Sequence, residues 1–101
     1  TDVTGTITIN TNTWYQIVTT YDGLNMKSYV NGVLDISTTW SSGIGYDTTY
    51  NKVLVGSVYT KSSGPVSFFK GNISDIVTYN RALTASEVLQ NYNAQKSRFG
   101  L

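Results

Sequence analysis

The chain of 101 residues contains neither cysteine nor histidine. The lack of cysteine excludes a disulfide framework. The lack of histidine removes the most common general base and metal ligand, and with them a Ser-His-Asp triad. A glycine-rich phosphate-binding loop is also missing. The sequence therefore offers little for the usual forms of catalysis.

Charge is scarce as well, because Asp, Glu, Lys and Arg make up 13% of the residues and the formal net charge is +1. Nucleic acids and anionic membrane surfaces bind to concentrated Lys or Arg, and the chain has no basic cluster. We therefore expect neither as a partner. No apolar run approaches the length of a membrane span, so we expect no membrane insertion.

What the chain does contain is typical of an all-β protein: many Thr, Ser, Asn, Gly and Tyr residues, with 40% hydrophobic residues. Residues 14–35 predict three strands, around 14–21, 25–31 and 33–37. Asp22-Gly23 and Asn31-Gly32 are turn signals between them. Asn-Gly between two apolar runs favours a type I′ hairpin, because both central residues then need positive φ. We assign Trp14 to the core.

Three further strands and two loops are predicted outside residues 14–35. Residues 4–10 alternate between Thr and Ile, which indicates a half-buried strand. Residues 52–57 and 67–80 complete the set, and the last counts as one strand or as two strands divided by a bend. The stretches 37–51 and 59–66 are rich in Gly, Ser and aromatic residues and predict long loops.

One helix is expected, at about residues 85–95, near the end of the chain. Thr84 and Glu87 have the spacing of a capping box, with Thr84 at the N-cap. Leu83 and Val88 have the spacing of a hydrophobic staple across this N-terminus. The helix should lie against the β structure as an accessory element.

Five short motifs occur in the order and spacing found in one family: Trp14 with IVTTYDG (17–23), YVNG (29–32), LVG (54–56), FxGxISDI (69–76) and YNRALTASEV (79–88). In these motifs the chain resembles the laminin-G-like group of concanavalin A-like lectin/glucanase domains. The resemblance implies a jelly-roll sandwich of two antiparallel sheets. It leaves the ligand open, since the group includes adhesion modules, lectins, enzymes and virion proteins.

In the family that it resembles, the motif around Trp14 lies midway along the domain, whereas here only residues 4–10 provide a strand before it. We therefore expect residues 1–101 to be one laminin-G-like sandwich domain that lacks its N-terminal strands. An upstream segment of the same polypeptide or a neighbouring subunit would supply them. Apolar side chains, including Ile7, Ile17 and Ile73, would otherwise stay partly uncovered.

We expect no enzymatic activity. Retaining glycoside hydrolysis needs two carboxyl groups about 5 to 5.5 Å apart. The single glutamate, Glu87, is assigned to the helix cap, and the five aspartates lie far apart in the sequence, at positions 2, 22, 35, 47 and 75. No catalytic residue is predicted.

Two kinds of site remain open. Asp22, Asn25 and Asp47 carry oxygen atoms of the kind that calcium prefers, and calcium is the one cofactor considered. The alternative, that Asp22-Gly23 is only a turn, is favoured. The second is a ligand site of five loop residues: Trp40, Tyr46, Asp47, Tyr50 and Tyr59. The aromatic rings can stack on a sugar face while the aspartate binds hydroxyl groups, or the rings can instead plug the end of a sandwich.

Two functions fit these features. The first is a non-catalytic, lectin-like recognition or adhesion module, with a glycan or a protein surface as its partner. The second is a structural module of a virion, such as that of a bacteriophage, or of another surface assembly. Both place the protein outside the cell or on the surface of a cell or virion.

Overall fold

The computed structural model describes residues 4–43, 53–60 and 62–101, with no side-chain description for Tyr59. The chain divides into two compact units. The first consists of Thr1–Gly43 with Tyr79–Leu101, and the second of Ile44–Thr78.

The first unit contains a three-stranded antiparallel sheet in the order β1-β2-β3, formed by Ile17–Tyr21, Asn25–Val30 and Val33–Thr39. It is the meander that the sequence predicts. Asn31 and Gly32 connect β2 to β3 with φ values of 51° and 77°. Both are positive, as a type I′ turn requires, so the predicted hairpin is confirmed.

A β-bulge interrupts the pairing of β2 with β3. Tyr29 lies opposite Leu34 and Ser28 lies opposite Ile36, so that Asp35 has no residue opposite it. An extra residue of this kind bends a strand and redirects the side chains beside it. The bulge thereby gives Asp35 an orientation that strict alternation along β3 does not provide.

The predicted helix is confirmed as α1, Ala85–Gln95, and a 3-10 turn follows it at Lys96–Phe99. Thr84 Oγ1 accepts the Glu87 amide at 3.2 Å, and a Glu87 carboxylate oxygen accepts the Thr84 amide at 3.0 Å. This reciprocal pair is the predicted capping box. It satisfies backbone N–H groups that the first helical turn leaves without partners.

The helix packs against one face of the sheet. Val88, which is fully buried, forms a cluster with Leu83 and Tyr29, and Val18 packs against it. Val18 and Tyr29 are paired across β1 and β2, so their side chains share a face. Burying an aliphatic or aromatic side chain of this size contributes about 1.5 to 3 kcal/mol. This cluster therefore fixes the helix on the sheet.

The second unit contains a small hairpin, β4 (Val58–Thr60) and β5 (Gly64–Val66). The predicted loop at 59–66 is thus wrong, because most of it is paired. Pro65 lies opposite Tyr59, and a two-stranded ribbon tolerates a proline where its missing N–H is not needed. Elsewhere in this unit the Phe69 amide donates to Gly56 O at 2.7 Å.

The predicted strands at 4–10 and 67–80 are wrong, and so is the described part of 52–57: these residues are not in strands. The reason is that a strand exists only where a second strand pairs with it, and alternation of side chains does not supply that partner. Trp14 is also corrected. Its side chain is 38% exposed instead of buried in the core, and it lies against Phe99 with ring centroids 5.1 Å apart.

Ile7, Ile17 and Ile73 are exposed, as the sequence predicts. An antiparallel sheet and a short C-terminal helix are thus established, while the two-sheet sandwich stays a prediction. Within the described ranges, no helix is both long and apolar enough to cross a membrane.

Candidate functional site

Trp40 is held at one end of the three-stranded sheet, beside the turn between β1 and β2. Its amide donates to Leu24 O at 2.6 Å, and its carbonyl accepts the Tyr21 hydroxyl at 2.7 Å. Both hydrogen bonds link Trp40, which follows β3, to residues on either side of the turn between β1 and β2. The backbone of Trp40 is therefore fixed on a paired element, although the sequence places it in a loop. We call this end of the sheet, with Tyr21, Asp22, Asn25, Thr39 and Trp40, the Trp40 rim.

The ring of Trp40 is half-buried, and its Nε1 donates to Gly43 O at 3.0 Å. The indole N–H is its only donor. With that donor used, the part of the ring that remains exposed can offer an apolar surface and no further hydrogen bond. Such a surface suits stacking against a flat apolar patch of a ligand.

Asp22 organises the turn next to Trp40. Its Oδ1 accepts the amides of Leu24 and Asn25 at 2.9 and 2.6 Å. These bonds favour the charged carboxylate and hold the pKa of Asp22 below its ordinary value, with the Asn25 amide as the largest cause and the Leu24 amide next. This is the local hydrogen bonding for which Asp is favoured in turns.

The geometry at Asp22 and Asn25 supports the turn interpretation more directly than the calcium one. Asn25 Oδ1 is in contact with the Thr39 hydroxyl at 3.4 Å. Calcium takes six to eight oxygen ligands. The described part of the chain contains no group of three or more acidic, His or Cys side chains that can hold a metal. The third candidate, Asp47, lies outside the described residues, so calcium at this rim stays a prediction.

Of the predicted ligand-site residues, only Trp40 has a described side chain. Tyr46, Asp47 and Tyr50 lie outside the described residues. Tyr59 lies in β4, in the second unit, and its side chain is not described. The convergence of these five residues on one site therefore stays a prediction.

The sequence analysis gives Asp35 no role, yet its carboxylate accepts three hydrogen bonds. Its Oδ1 accepts the Thr6 amide at 2.9 Å, the Thr6 hydroxyl at 2.7 Å and the Ile7 amide at 3.0 Å. The Thr6 hydroxyl is the largest cause of a lowered pKa of Asp35, followed by the two amides. The feature of the sequence that points to this role is the position of Asp35, a carboxylate between the apolar residues Leu34 and Ile36.

Glu87 is fully committed to its neighbours. Both of its carboxylate oxygens bind the Arg81 guanidinium, one of them at 2.8 Å. This pairing, together with the Thr84 amide, lowers the pKa of Glu87 from 4.5 to about 2. A carboxyl group in this state is a poor proton donor near neutral pH, so it is unsuited to general acid catalysis.

The family model described as the concanavalin A-like lectin/glucanases superfamily matches residues 1–89. The chain therefore belongs to this superfamily, as its motifs predict, and to the laminin-G-like branch within it. No curated protein matches the chain.

The chain is similar to a solved structure of an S-layer domain-containing protein from Clostridium thermocellum. The TM-score is 0.72 at 24% sequence identity, and the match covers 89% of this chain and 44% of the other. At this identity the similarity concerns the fold. The chain spans less than half the length of that structure.

Proposed function

We propose that this chain is a non-catalytic recognition module of an extracellular or surface-exposed protein, and that it binds carbohydrate at the Trp40 rim. The observation that carries the proposal is the fixation of Trp40. Two backbone hydrogen bonds and one indole hydrogen bond hold the residue at the end of a paired sheet. A ring held in advance loses little conformational entropy when a ligand stacks on it.

Carbohydrate suits this rim because a pyranose has an apolar ring face and a polar edge. The indole can contact the apolar face, while Asn25 and Thr39, beside it on β2 and β3, carry amide and hydroxyl groups for the polar edge. The low net charge favours a neutral sugar over a strongly charged one.

Membership of the lectin/glucanase superfamily and the likeness to a protein named for its S-layer domain support a surface location. The superfamily also includes enzymes, and the present chain is proposed as a binding member. The carboxylates of Asp22, Asp35 and Glu87 each accept at least two hydrogen bonds from nearby donors. Their engagement favours structural roles for these three acids.

The test compares two tryptophan variants. Glycans that bind the protein are first found on a glycan array, and affinities are then measured by calorimetry. Trp40→Ala should weaken binding at least about tenfold, or about 1.4 kcal/mol. Trp40→Phe, which keeps an aromatic face, should retain part of it.

Trp14→Ala is the matched control, because this residue is also a partly exposed tryptophan but contacts Phe99 and takes no part in the rim. Equal losses in the two alanine variants, with both folded, would contradict the assignment of the site. The same preparation should release no reducing sugar from any glycan that binds.

A structural role in a virion, such as a bacteriophage particle, or in another surface assembly is the second candidate. The exposure of Ile17 and Val33 favours it. Both residues pair with Val30, so their exposed apolar side chains lie together on one face of the sheet, where another chain can pack. An Ile17→Asp variant distinguishes the two. Loss of assembly with intact glycan binding would support the structural role.

A further inference from the structure

Residues 4–10 are attached to the sheet through a carboxylate oxygen of Asp35. Asp35 Oδ1 accepts two successive amides, those of Thr6 and Ile7, together with the Thr6 hydroxyl, at distances of 2.7 to 3.0 Å. Successive backbone N–H groups that point to one place form a cradle for an anion. Here the anion is a side chain 29 residues further along the chain.

The fit between this cradle and Asp35 is close. A side chain at Gly5 would place its Cβ in collision with the Asp35 carboxylate. Asp35 itself is the extra residue of the bulge in β3, so it is aimed by a local break in the strand. The lack of a side chain at Gly5 leaves room for the Asp35 carboxylate, and the bulge orients that carboxylate towards the amides of Thr6 and Ile7.

The remainder of residues 4–10 has few other attachments. The Asn10 amide donates to the Tyr15 hydroxyl at 2.9 Å. Within the described ranges, no backbone-to-backbone hydrogen bond joins this segment to the rest of the molecule. Side chains along it, including Ile9, are exposed. Segments with few buried apolar contacts and few backbone bonds open at a low free energy, well below that of global unfolding.

The segment lies beside a depression on the sheet. Gly5 lines a cavity of about 130 Å³ together with Thr19, Met26, Ser28 and Ile36. Pairing across the three strands places Thr19, Ser28 and Ile36 in one row. This row lies on the same face of the sheet as Ile17. Thr19 is already exposed, whereas Ser28 and Ile36 are half-buried, so moving residues 4–10 away would increase the exposure of Ser28 and Ile36.

We propose that residues 4–10 form a detachable strap on the sheet, and that Asp35 is its latch. With the latch closed, the strap lies beside the half-buried Ser28 and Ile36, with Gly5 at the cavity that these residues line. With the latch open, the strap leaves while β1, β2, β3 and α1 remain folded, because their pairing and the cluster around Val88 do not depend on it. The device controls access to this face of the sheet.

Hydrogen–deuterium exchange followed by mass spectrometry tests the latch in the protein as it is naturally produced. Asp35→Ala should speed exchange of the Thr6 and Ile7 amides at least about tenfold and leave exchange in β2 and α1 unchanged. Asp35→Asn should have a smaller effect, because a neutral oxygen accepts weaker hydrogen bonds than a carboxylate.

Asp22→Ala is the matched control, since it also removes an aspartate that accepts two amides, but those of Leu24 and Asn25. It should change exchange in its own turn and leave the strap as it was. Gly5→Ala should open the latch while keeping the carboxylate, since the new Cβ displaces it.

A second readout follows the sheet face directly. Because the chain has no cysteine, Ser28→Cys introduces a single thiol into the row beside the strap. Labelling of this thiol should be faster when Asp35→Ala is added, while labelling of a Thr39→Cys variant should not change. Unaltered exchange in residues 4–10 would overturn the proposal. Equal acceleration throughout β1, β2 and β3 would also overturn it, since Asp35 would then hold the sheet and not a strap.

Discussion

Gly32 is the residue whose conformation and surroundings are both restrictive. Its φ of 77° disfavours any side chain, and a Cβ there would lie 3.0 Å from Leu89 Cδ1 and 3.2 Å from Tyr92 Cδ2. The left-handed conformation alone costs about 1 to 2 kcal/mol for a non-glycine residue. We expect Gly32→Ala to lower the free energy of unfolding by at least this amount, measured in urea.

Gly23 provides the control for that prediction. It also has positive φ, of 96°, but nothing lies within 4 Å of the place where its Cβ would be. Gly23→Ala therefore measures the cost of the conformation, and any excess at Gly32 measures contact with α1. Equal costs at the two positions would mean that the turn and the helix are not in firm contact.

Acid should destabilise the protein through Glu87 and Asp35. The pKa of Glu87 falls from 4.5 to about 2 on folding, chiefly through Arg81, and that of Asp35 is lowered chiefly by the Thr6 hydroxyl. A lowered folded-state pKa means that the unfolded chain binds protons more readily. The stabilisation is therefore complete above the unfolded value and is lost as pH falls through the folded one.

The measurement is the free energy of unfolding between pH 7 and pH 2. Glu87→Gln should make this profile flatter between about pH 4.5 and 2, because the titrating pair with Arg81 is gone. An unchanged profile in this variant would show that the ion pair, which is solvent-exposed, contributes nothing to acid stability.

At the scale of elements, the contribution of the capping box to the stability of α1 can be measured by substitution. Thr84→Ala removes the hydroxyl that accepts the Glu87 amide and should cost about 1 kcal/mol. Ser86→Ala, an exposed neighbour in the first helical turn, should have little effect. Glycan binding should be unchanged in both, because α1 contacts the turn after β2 whereas Trp40 lies beside the turn before β2. Lost binding in a stable Thr84→Ala protein would contradict this placement.

The elements that sequence predicts well here are those with local determinants. The Asn31-Gly32 turn and the Thr84–Glu87 capping box depend on residues within a few positions of one another, and both are present. Residues 4–10 and 67–80 show the alternation of strands but not their pairing, which depends on distant partners. The bulge at Asp35 was missed for the same reason, because a bulge is defined by the strand opposite.

The candidate site follows the same rule. Trp40 could be selected from sequence as an aromatic residue among small polar ones. Its fixation by Tyr21 and Leu24 could not, because those contacts join residues 16 to 19 positions apart through the sheet. The role of Asp22 in its turn can be predicted from sequence, since the amides that it accepts are two and three positions away.

At the scale of the whole molecule, the distribution of apolar surface is uneven. On one face of the three-stranded sheet α1 packs against Val18 and Tyr29. On the other face Ile17 and Val33 are 56% and 60% exposed, on either side of the buried Val30. Members of this superfamily are expected to be two-sheet sandwiches, in which both inner faces are covered. We propose that further strands cover the part of this face around Ile17 and Val33, beyond the strap of residues 4–10. These strands come from another segment of the same polypeptide or from a neighbouring subunit.

Expression of residues 1–101 alone tests that proposal. An uncovered apolar face and unpaired strand edges recruit other chains, so the isolated segment should bind a hydrophobic dye and self-associate during size-exclusion chromatography. Ile17→Thr combined with Val33→Thr, which keeps β-branched side chains, should reduce both effects without changing the helix signal in circular dichroism. A monomer that melts sharply and binds no dye would contradict the proposal. Such a monomer would mean that residues of this chain cover the face themselves, and Trp40→Ala binding tests could then be made on the segment alone.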